Sequence, residues 1–446
     1  MRAPQFIKRM NPPEMIIFGF LSVILIGSIF LALPISDQNG QATSYLDSLF
    51  MAVSATCVTG LAVVNTADHW NNLGQVMILI MVEVGGLGFM SFLVLLLNMT
   101  GQHPSFKSKM LIRDAYNFTS FNGGVDLVKA IVKLSLSIQL IGAILLSLDF
   151  IPKFGWGKGI WFSVFHAVSA HSNAGFDLFK TSLFQFRDNP YVLFVMSILI
   201  LSGSFGFIVW FDLLNWRRIG KVTLHSRMAL TMTAILVIAG TILYSLLNIE
   251  KFDGHPLTYL AQNLFLSITP RSGGFTFVNY NATNYASLVL TMVLMFIGGT
   301  SGSTAGGVKT TTFGVLVLNI LAIFSNRYKT IYHERQMPAR TISRVYEIIF
   351  IYLAIIFSSS FILLITEELP NNNGIEYVFF EVISALATVG LSLGLTPDLS
   401  HIGKLVIMLL MFIGRIGIMT VIYAASRTAK LDENLIQYPE EEIVVG

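Results

Sequence analysis

The sequence predicts an all-α integral membrane protein built from four similar units, with eight transmembrane helices and four re-entrant helices around a central axis. Of the 446 residues, 54% are hydrophobic and only 12% are charged. A soluble domain carries about 25% charged residues, so this composition excludes an ordinary soluble protein. Long and short apolar runs also alternate in the order long, short, long, four times along the chain.

The long runs match the roughly 20 apolar residues that a helix needs to cross a bilayer, and the short runs are typical of re-entrant segments. Each unit therefore consists of a long helix (M1), a short helix with its loop (P-loop) and a second long helix (M2). The long runs lie near 14–35, 73–98, 127–150, 190–216, 228–248, 285–324, 346–366 and 402–426, and the short ones near 45–55, 159–170, 256–267 and 374–385. The predicted units are 1–100, 101–220, 221–330 and 331–430, followed by a tail at 431–446.

Two motifs recur with the units. A serine, five residues and a glycine close each short run, and a G-x-x-G begins 24 to 28 residues after that glycine. The first motif is found as SATCVTG (54–60), SAHSNAG (169–175), SITPRSG (267–273) and SALATVG (384–390). The second is found at Gly85–Gly88, Gly203–Gly206, Gly299–Gly302 and Gly414–Gly417. Recurrence in the same order and at similar spacing indicates internal duplication.

Basic residues predict the topology. Eighteen Lys and Arg residues lie at the termini or between units, whereas six lie around the short runs. Cytoplasmic loops carry the basic excess in membrane proteins. Both termini are therefore predicted to be cytoplasmic, in a multi-pass protein of the cell membrane whose short runs enter from outside.

The short helices suggest a chemistry for the centre of the fold. A helix that ends inside the membrane presents the negative end of its dipole there, which favours a cation. Beyond each helix, extended backbone can offer carbonyl oxygens in place of an ion's hydration shell, as in potassium filters. Glycine accommodates the backbone angles that such a loop needs. The alternative is that the serine–glycine motif marks four ordinary helix–turn junctions.

With one glycine per loop in a fourfold M1–P-loop–M2 plan, the whole chain resembles the Trk/Ktr/HKT superfamily of potassium transporters, and its compact length is most similar to the bacterial Ktr membrane subunits. The resemblance implies a pore with a selectivity filter formed by backbone carbonyls. Glycine in all four loops is similar to the potassium-conducting members. In the third loop, the motif spacing favours Gly273, and Gly274 stays open. The implied filter residues are Val58, Thr59, Gly60, Asn173, Ala174, Gly175, Arg271, Ser272, Gly273 or Gly274, Thr388, Val389 and Gly390.

The third unit differs from the others, because its second long run is about twice the length of one span. Its middle, GGTSGSTAGG (298–307), has no large side chain. Five glycines and several Ser/Thr residues disfavour a continuous helix, so we expect a broken helix with this glycine-rich loop in the pore. The family likeness implies an intramembrane gate made of Gly298, Gly299, Thr300, Ser301, Gly302, Ser303, Thr304, Ala305, Gly306 and Gly307. The alternative is a close-packed helix interface.

Arg415 lies within the last apolar run. A charge at that depth normally faces a cavity or a partner. The first hypothesis is that Arg415 acts with the glycine-rich loop to slow cation passage, and the second is a purely structural ion pair with Glu83. His171 is expected to be a structural hydrogen-bonding residue, and Asp68, Asp149 and Asp177 are candidates for an outer mouth that concentrates cations.

Other functions fit less well. GTSG (299–302) matches the G-x-S-G of rhomboid-type intramembrane serine proteases, but that reading leaves the fourfold pattern unexplained, so no enzyme is predicted. A secondary cation transporter with broken helices is the stronger alternative. One cysteine, Cys57, excludes an intrachain disulfide framework or a cysteine metal cluster. No cofactor, transition metal or nucleic acid is expected. K⁺ is the implied transported ion, and Na⁺ is either coupled or activating. The resemblance also implies a homodimer in the bilayer that docks onto a cytosolic ring of nucleotide-binding (RCK-type) subunits.

Overall fold

A computed structural model describes residues 12–88, 124–247, 255–327, 329–369, 374–418 and 420–421. This part of the chain is almost entirely helical, which confirms the predicted class. A short antiparallel hairpin interrupts it, with β1 at Ile331–Tyr332 and β2 at Arg335–Gln336. The predicted tail and nearly all of the first inter-unit loop lie outside the described residues.

The helices follow the predicted alternation of long and short elements. The first half of the chain contains α1 (Pro12–Ala32), α2 (Tyr45–Thr56), α3 (Thr66–His69), α4 (Asn72–Leu87), α5 (Gly124–Phe154), α6 (Trp156–His171), α7 (Pro190–Ser204) and α8 (Phe207–Ile219). The second half contains α9 (Leu224–Leu247), α10 (Pro256–Ile268), α11 (Tyr285–Phe296), α12 (Thr310–Phe324), α13 (Ala339–Thr366), α14 (Ile375–Leu386) and α15 (His401–Ile416).

Four of the described helices, α1, α5, α9 and α13, are long and apolar enough to cross a membrane. Their outer faces expose large apolar side chains such as Ile26, Leu140, Leu246 and Phe361, each more than 60% exposed. Apolar surface of this extent along long helices is typical of helices that face lipid.

The short helices α2, α6, α10 and α14 form the inner layer. Each contributes a phenylalanine that is fully buried, namely Phe50, Phe165, Phe265 and Phe380. Each short helix packs against the long helix that precedes it, so the outer helices enclose the inner ones. The loops that follow the short helices are therefore held at the centre of the fold.

The helix after each of these loops begins with a side-chain cap. Asn71, Asn189, Asn284 and Ser400 accept hydrogen bonds from backbone N–H groups in the first turns of α4, α7, α11 and α15. Such caps satisfy N–H groups that have no partner within the helix. The start of each of these helices is thereby set by its sequence.

One predicted span is not a straight helix. The run at 190–216 was expected to cross as a single M2 helix, but α7 ends at Ser204, α8 begins at Phe207, and their axes differ by 96°. Gly206 between them has φ 77°, which breaks the helical path. The third unit shows the predicted interruption, because α11 ends at Phe296 and α12 begins at Thr310.

Candidate ion-binding ring and the loop beside it

The four loops after α2, α6, α10 and α14 share a backbone conformation. Each has positive φ at two residues that are two positions apart, and the second of them is a glycine. The first members are Val58 (56°), Asn173 (58°), Ser272 (90°) and Thr388 (48°), and the second members are Gly60 (89°), Gly175 (69°), Gly274 (76°) and Gly390 (92°). Positive φ is uncommon outside glycine and is strained for Val and Thr, so the surrounding structure must hold it in place.

The four glycines form a closed ring. A Cβ atom added to Gly60 would lie 3.0 Å from the Cα of Gly175, and one added to Gly175 would lie 2.9 Å from the Cα of Gly274. A Cβ on Gly274 would lie 2.5 Å from the carbonyl oxygen of Val389, and one on Gly390 would lie 3.1 Å from the Cα of Gly60. No side chain fits at any of these positions. We call Gly60, Gly175, Gly274 and Gly390 the glycine ring.

The ring resolves the choice in the third loop, because Gly274 has the left-handed backbone of the other three glycines. A Cβ on Gly273 would instead approach Ile200 and Thr269, away from the ring. The motif spacing, which favours Gly273, is therefore wrong by one residue in this loop. The residues that flank the ring glycine become Ser272 and Gly273 in place of Arg271 and Ser272.

The hydroxyl of the serine in the S-x5-G motif supports the loop from behind. The N–H of Gly60 donates to Ser54 Oγ at 3.1 Å, and the N–H of Gly390 donates to Ser384 Oγ at the same distance. In the second loop, Ser169 Oγ donates to the carbonyl of Phe176 at 2.6 Å. These bonds explain why the motif needs a serine at that spacing.

In the third loop, Thr269 takes this part, since its Oγ1 donates to the carbonyl of Phe275 at 2.5 Å. The serine of the motif, Ser267, bonds instead to the carbonyl of Val237 on α9. The third loop therefore has its support two residues later than its motif indicates. This exchange is the physical reason for the shifted register.

The first glycine of each G-x-x-G brings a long helix against the end of a short one. A Cβ on Gly85 would overlap the carbonyl of Thr56, the last residue of α2, and a Cβ on Gly414 would overlap that of Leu386, the last residue of α14. In the second unit, the corresponding glycine, Gly203, meets the last carbonyl of α6 in the same way.

The second glycine of each G-x-x-G breaks the helix. Gly88, Gly206, Gly302 and Gly417 have φ values of 78°, 77°, 74° and 92°. Three of them lie at or beside the end of α4, α7 or α15, and Gly302 lies in the glycine-rich loop. The motif that indicated duplication is thus also a repeated backbone break, which its helix-packing interpretation did not include.

The glycine-rich loop (298–307) packs against the second unit on one side. The N–H of Thr300 donates to the carbonyl of Ser204 at 2.9 Å, and Thr304 Oγ1 donates to the carbonyl of His171 at 3.3 Å. The amide of Asn173, at the base of the second ring loop, lies 2.8 Å from Thr304 Oγ1. The loop is therefore in direct contact with the ring loops.

On its other side the glycine-rich loop contacts the third and fourth ring loops. The N–H of Gly306 donates to Ser272 Oγ at 3.3 Å, and a Cβ on Gly306 would lie 2.5 Å from the carbonyl of Ala387. The buried guanidinium of Arg271 donates to the carbonyl of Gly298 at 3.3 Å and to Thr310 Oγ1 at 3.2 Å. The side chain of Arg271 thus joins the third ring loop to both ends of the helix break.

Arg415 contacts the glycine-rich loop and a second unit at once. Its guanidinium donates to the carbonyls of Thr304 and Gly85, and to that of Gly86 at 3.1 Å. Glu83 accepts a hydrogen bond from Gln139 at 2.8 Å. No ion pair joins Arg415 to Glu83 in the part of the chain described here, so the hypothesis of a structural pair between them is not supported.

Lys309, at the end of the helix break, is a residue that the sequence analysis missed. Its ammonium group donates to the carbonyl of Ala305 at 2.6 Å, within the loop itself. The sequence showed it only as a basic residue near a cytoplasmic loop. A lysine that directly follows a run of small residues inside an apolar stretch was the available signal.

A cavity of about 550 Å³ opens next to the glycine ring. Gly60, Gly175 and part-buried Asp177 line it. Of the other acidic candidates, Asp68 is half exposed and pairs with Lys180 at 3.1 Å, and Asp149 pairs with Lys153 at 2.9 Å. The three carboxylates are therefore not brought together.

The predicted structural character of His171 agrees with its contacts. Its Nδ1 lies 2.8 Å from Ser202 Oγ, and the side chain is buried. Among the described residues, no group of three or more His, Cys, Asp or Glu side chains could hold a metal ion.

Known proteins with this sequence pattern are cation transporters. The family model of the TrkH cation transport proteins matches residues 9–434. The potassium/sodium uptake protein NtpJ of Enterococcus hirae is 45% identical over 98% of this chain and 98% of its own. The Ktr system potassium uptake protein B of Bacillus subtilis is 37% identical over 98% of this chain and 97% of its own, and that of Vibrio alginolyticus is 34% identical over 97% and 95%.

The fold agrees with a solved structure of the same family. The potassium transporter TrkH from Vibrio parahaemolyticus superposes with a TM-score of 0.73 over 96% of this chain and 87% of its own, at 18% identity. The resemblance drawn from the repeated loops is confirmed, and the described helices are those of a multi-pass membrane transporter. The chain belongs to the TrkH family of cation transport proteins.

Proposed function

We propose that this chain takes up potassium across the cytoplasmic membrane through a channel-like pore, with the glycine ring as its selectivity filter. The observation that carries the proposal is the closed ring itself, in which loops from all four predicted units meet at glycines with no room for a side chain. Backbone carbonyls in such a ring can replace the hydration shell of K⁺. The printed names of the relatives, which include potassium uptake, support the choice of ion.

The walls of the filter are the residues that flank the ring glycines. Their carbonyls would be those of Val58, Thr59, Asn173, Ala174, Ser272, Gly273, Thr388 and Val389. The four short helices end within a few residues of the ring, so the negative ends of their dipoles lie near it. The two effects act in the same direction, since both lower the free energy of a cation at the ring.

The test is K⁺ or ⁸⁶Rb⁺ uptake into liposomes that contain the purified chain, wild type beside Gly60→Ser. We expect uptake to prefer K⁺ over Na⁺ in the wild type and the preference to fall in Gly60→Ser, because a serine side chain there meets the next loop. Gly40→Ser is the matched control, since Gly40 also has positive φ (69°) but no atom within 4 Å of an added Cβ. Absence of cation flux, or equal selectivity in both variants, would contradict the proposal.

The glycine-rich loop would be the gate of this pore, and Arg415 would hold it closed. The loop contacts three of the four ring loops or their short helices, and Arg415 bonds to the loop and to the first unit together. Ions that pass the ring must then displace the loop. The alternative of a secondary transporter predicts no such open state, so conductance of single molecules above turnover rates would distinguish the two.

The partners remain part of this proposal. The segment between α12 and α13 carries five basic residues (Arg327, Lys329, Arg335, Arg340 and Arg344), together with the β-hairpin. We assign this segment to the cytoplasmic face, with both termini, as the docking site of a cytosolic nucleotide-binding ring on a homodimer of the chain. Reversal of these charges is expected to release a co-purifying cytosolic subunit and to leave ion selectivity unchanged.

Sodium dependence is a second point on which a relative is informative, because the Enterococcus hirae protein is named for both potassium and sodium. We propose that Na⁺ activates or accompanies K⁺ uptake by this chain. Liposomes loaded and bathed without Na⁺ test this directly. Uptake that is independent of Na⁺ on both sides would remove this part of the proposal and leave the filter untouched.

A further inference from the structure

The side chain of Ser272 lies between the glycine-rich loop and the carbonyl of another ring loop. Its Oγ donates to the carbonyl oxygen of Thr388 at 2.9 Å and accepts from the N–H of Gly306 at 3.3 Å. The side chain is fully buried, so bulk water does not compete for either bond. One hydroxyl therefore joins the loop next to the ring to a carbonyl that faces the ring.

The position of Ser272 explains how this contact arises. It occupies the first positive-φ position of its loop, two residues before the ring glycine. At the same position in the second unit, the amide of Asn173 also meets the glycine-rich loop, at Thr304. Val58 in the first unit has no polar side chain. Polar side chains at this position therefore connect the ring loops with the glycine-rich loop.

A hydroxyl that accepts one hydrogen bond donates a stronger one, because the bonds in a chain polarise each other. With Gly306 in place, the proton of Ser272 is held on the oxygen of Thr388 and draws on electron density that a cation would use. When the glycine-rich loop moves away, Ser272 loses its donor and its hydroxyl is free to rotate. The oxygen of Thr388 is then more available to an ion.

We infer that Ser272 is a positioning residue that couples the glycine-rich loop to the ring, so that displacement of the loop raises the affinity of the fourth ring loop for the ion. The inference rests on the proposed function of the ring as a filter and of the loop as its gate. It adds a specific link between the two. Loop movement then changes ion binding as well as access.

The test is a double-mutant cycle on K⁺ uptake in liposomes, with Ser272→Gly and deletion of residues 299–306 alone and together. Glycine removes the hydroxyl and adopts φ 90° without strain, so we expect normal insertion. In the intact chain, Ser272→Gly is expected to lower the half-saturating K⁺ concentration by about threefold to tenfold, the range of one neutral hydrogen bond. In the deletion background the same substitution is expected to shift it by less than about twofold, because the chain of bonds is already broken.

Ser384→Ala is the matched control, because Ser384 also supports a ring loop by one hydrogen bond, to Gly390, at the same 3.1 Å in either state of the gate. Its effect is expected to be equal in both backgrounds, since independent sites add. Ser272→Cys, a weak donor of similar size, is expected to shift the half-saturating concentration in the same direction by a smaller factor, and serves if the glycine variant is not inserted. Equal effects of Ser272→Gly in both backgrounds, or no effect in the intact chain, would overturn the coupling. A wild type without K⁺-selective flux would contradict the proposed function instead.

Discussion

Arg415 donates a hydrogen bond to the backbone carbonyl of Thr304, although 111 positions of sequence separate the two residues. The same guanidinium reaches the carbonyls of Gly85 and Gly86 on α4. A fork of N–H donors can hold several carbonyls at once, which a lysine could not do with the same geometry. Arg415 therefore ties the glycine-rich loop to the first and fourth units together.

Arg415→Gln is expected to increase K⁺ uptake, because the loop loses a charge-assisted bond that holds it in place. Bonds to charged groups contribute about 1.5–3 kcal/mol, so the ratio of open to closed loop rises about tenfold or more. The measurement is the rate of uptake into liposomes at saturating K⁺. Lys404→Gln is the control in the same helix, since Lys404 pairs with Asp47 at 2.7 Å instead of with the loop. An equal increase in both variants would contradict the assignment, as would restored flux when the charges of Arg415 and Glu83 are exchanged.

Deletion of residues 299–306 is expected to raise uptake and to weaken regulation, because the segment that lies beside the ring is removed. The ring loops are retained, so the preference for K⁺ over Na⁺ is expected to persist. Uptake of both ions, normalised to the amount of inserted protein, gives the answer. If flux falls or stays unchanged while insertion is normal, the loop is not a gate.

Gly414→Ala is expected to destabilise the protein, since the added methyl group overlaps the carbonyl of Leu386. Overpacking of this kind costs about 1–3 kcal/mol. Thermal unfolding in detergent, followed by the loss of the monodisperse peak, measures the effect. Gly157→Ala is the control, because a Cβ there, in the first turn of α6, meets no atom within 4 Å. A similar loss of stability in both variants would show that the contact with Leu386 is not the cause.

Asp177 predicts a dependence on pH on the side of the ring where the cavity opens. The residue lies outside the spanning helices, and burial raises its pKa to about 6. Its carboxyl group is therefore charged above pH 6 and attracts cations, and it becomes neutral as the pH falls through 6. Uptake at low K⁺ concentration is expected to fall over this range, and Asp177→Asn is expected to remove the step. Asp68→Asn, at a half-exposed carboxylate paired with Lys180, is expected to keep it.

Much of the fold was predictable because the bilayer imposes long apolar runs and loops need glycine. The break in α11 and α12 followed from five glycines in ten residues. The break between Ser204 and Phe207 was missed, since a lone Gly206 in an apolar run is also compatible with a packed helix. The difference is a backbone angle, which composition does not contain.

The site was predicted to within one residue, and the errors have physical causes. Gly274 replaces Gly273 because Thr269 supports the third loop in place of Ser267, an exchange that spacing alone does not reveal. Arg415 bonds to backbone carbonyls, and sequence reasoning looks first for a carboxylate. Ser272 was expected to offer only its carbonyl, whereas its hydroxyl makes the contacts that matter.

The contact between Gly390 and Gly60 has a consequence for biosynthesis. A ribosome completes the first of these glycines early and the other only when most of the chain has been made. Until the fourth loop is inserted, the first loop lacks one neighbour and the ring stays open on one side. A truncated or half-inserted chain therefore has no complete ion site, and the membrane is protected from a selective leak until synthesis is nearly finished.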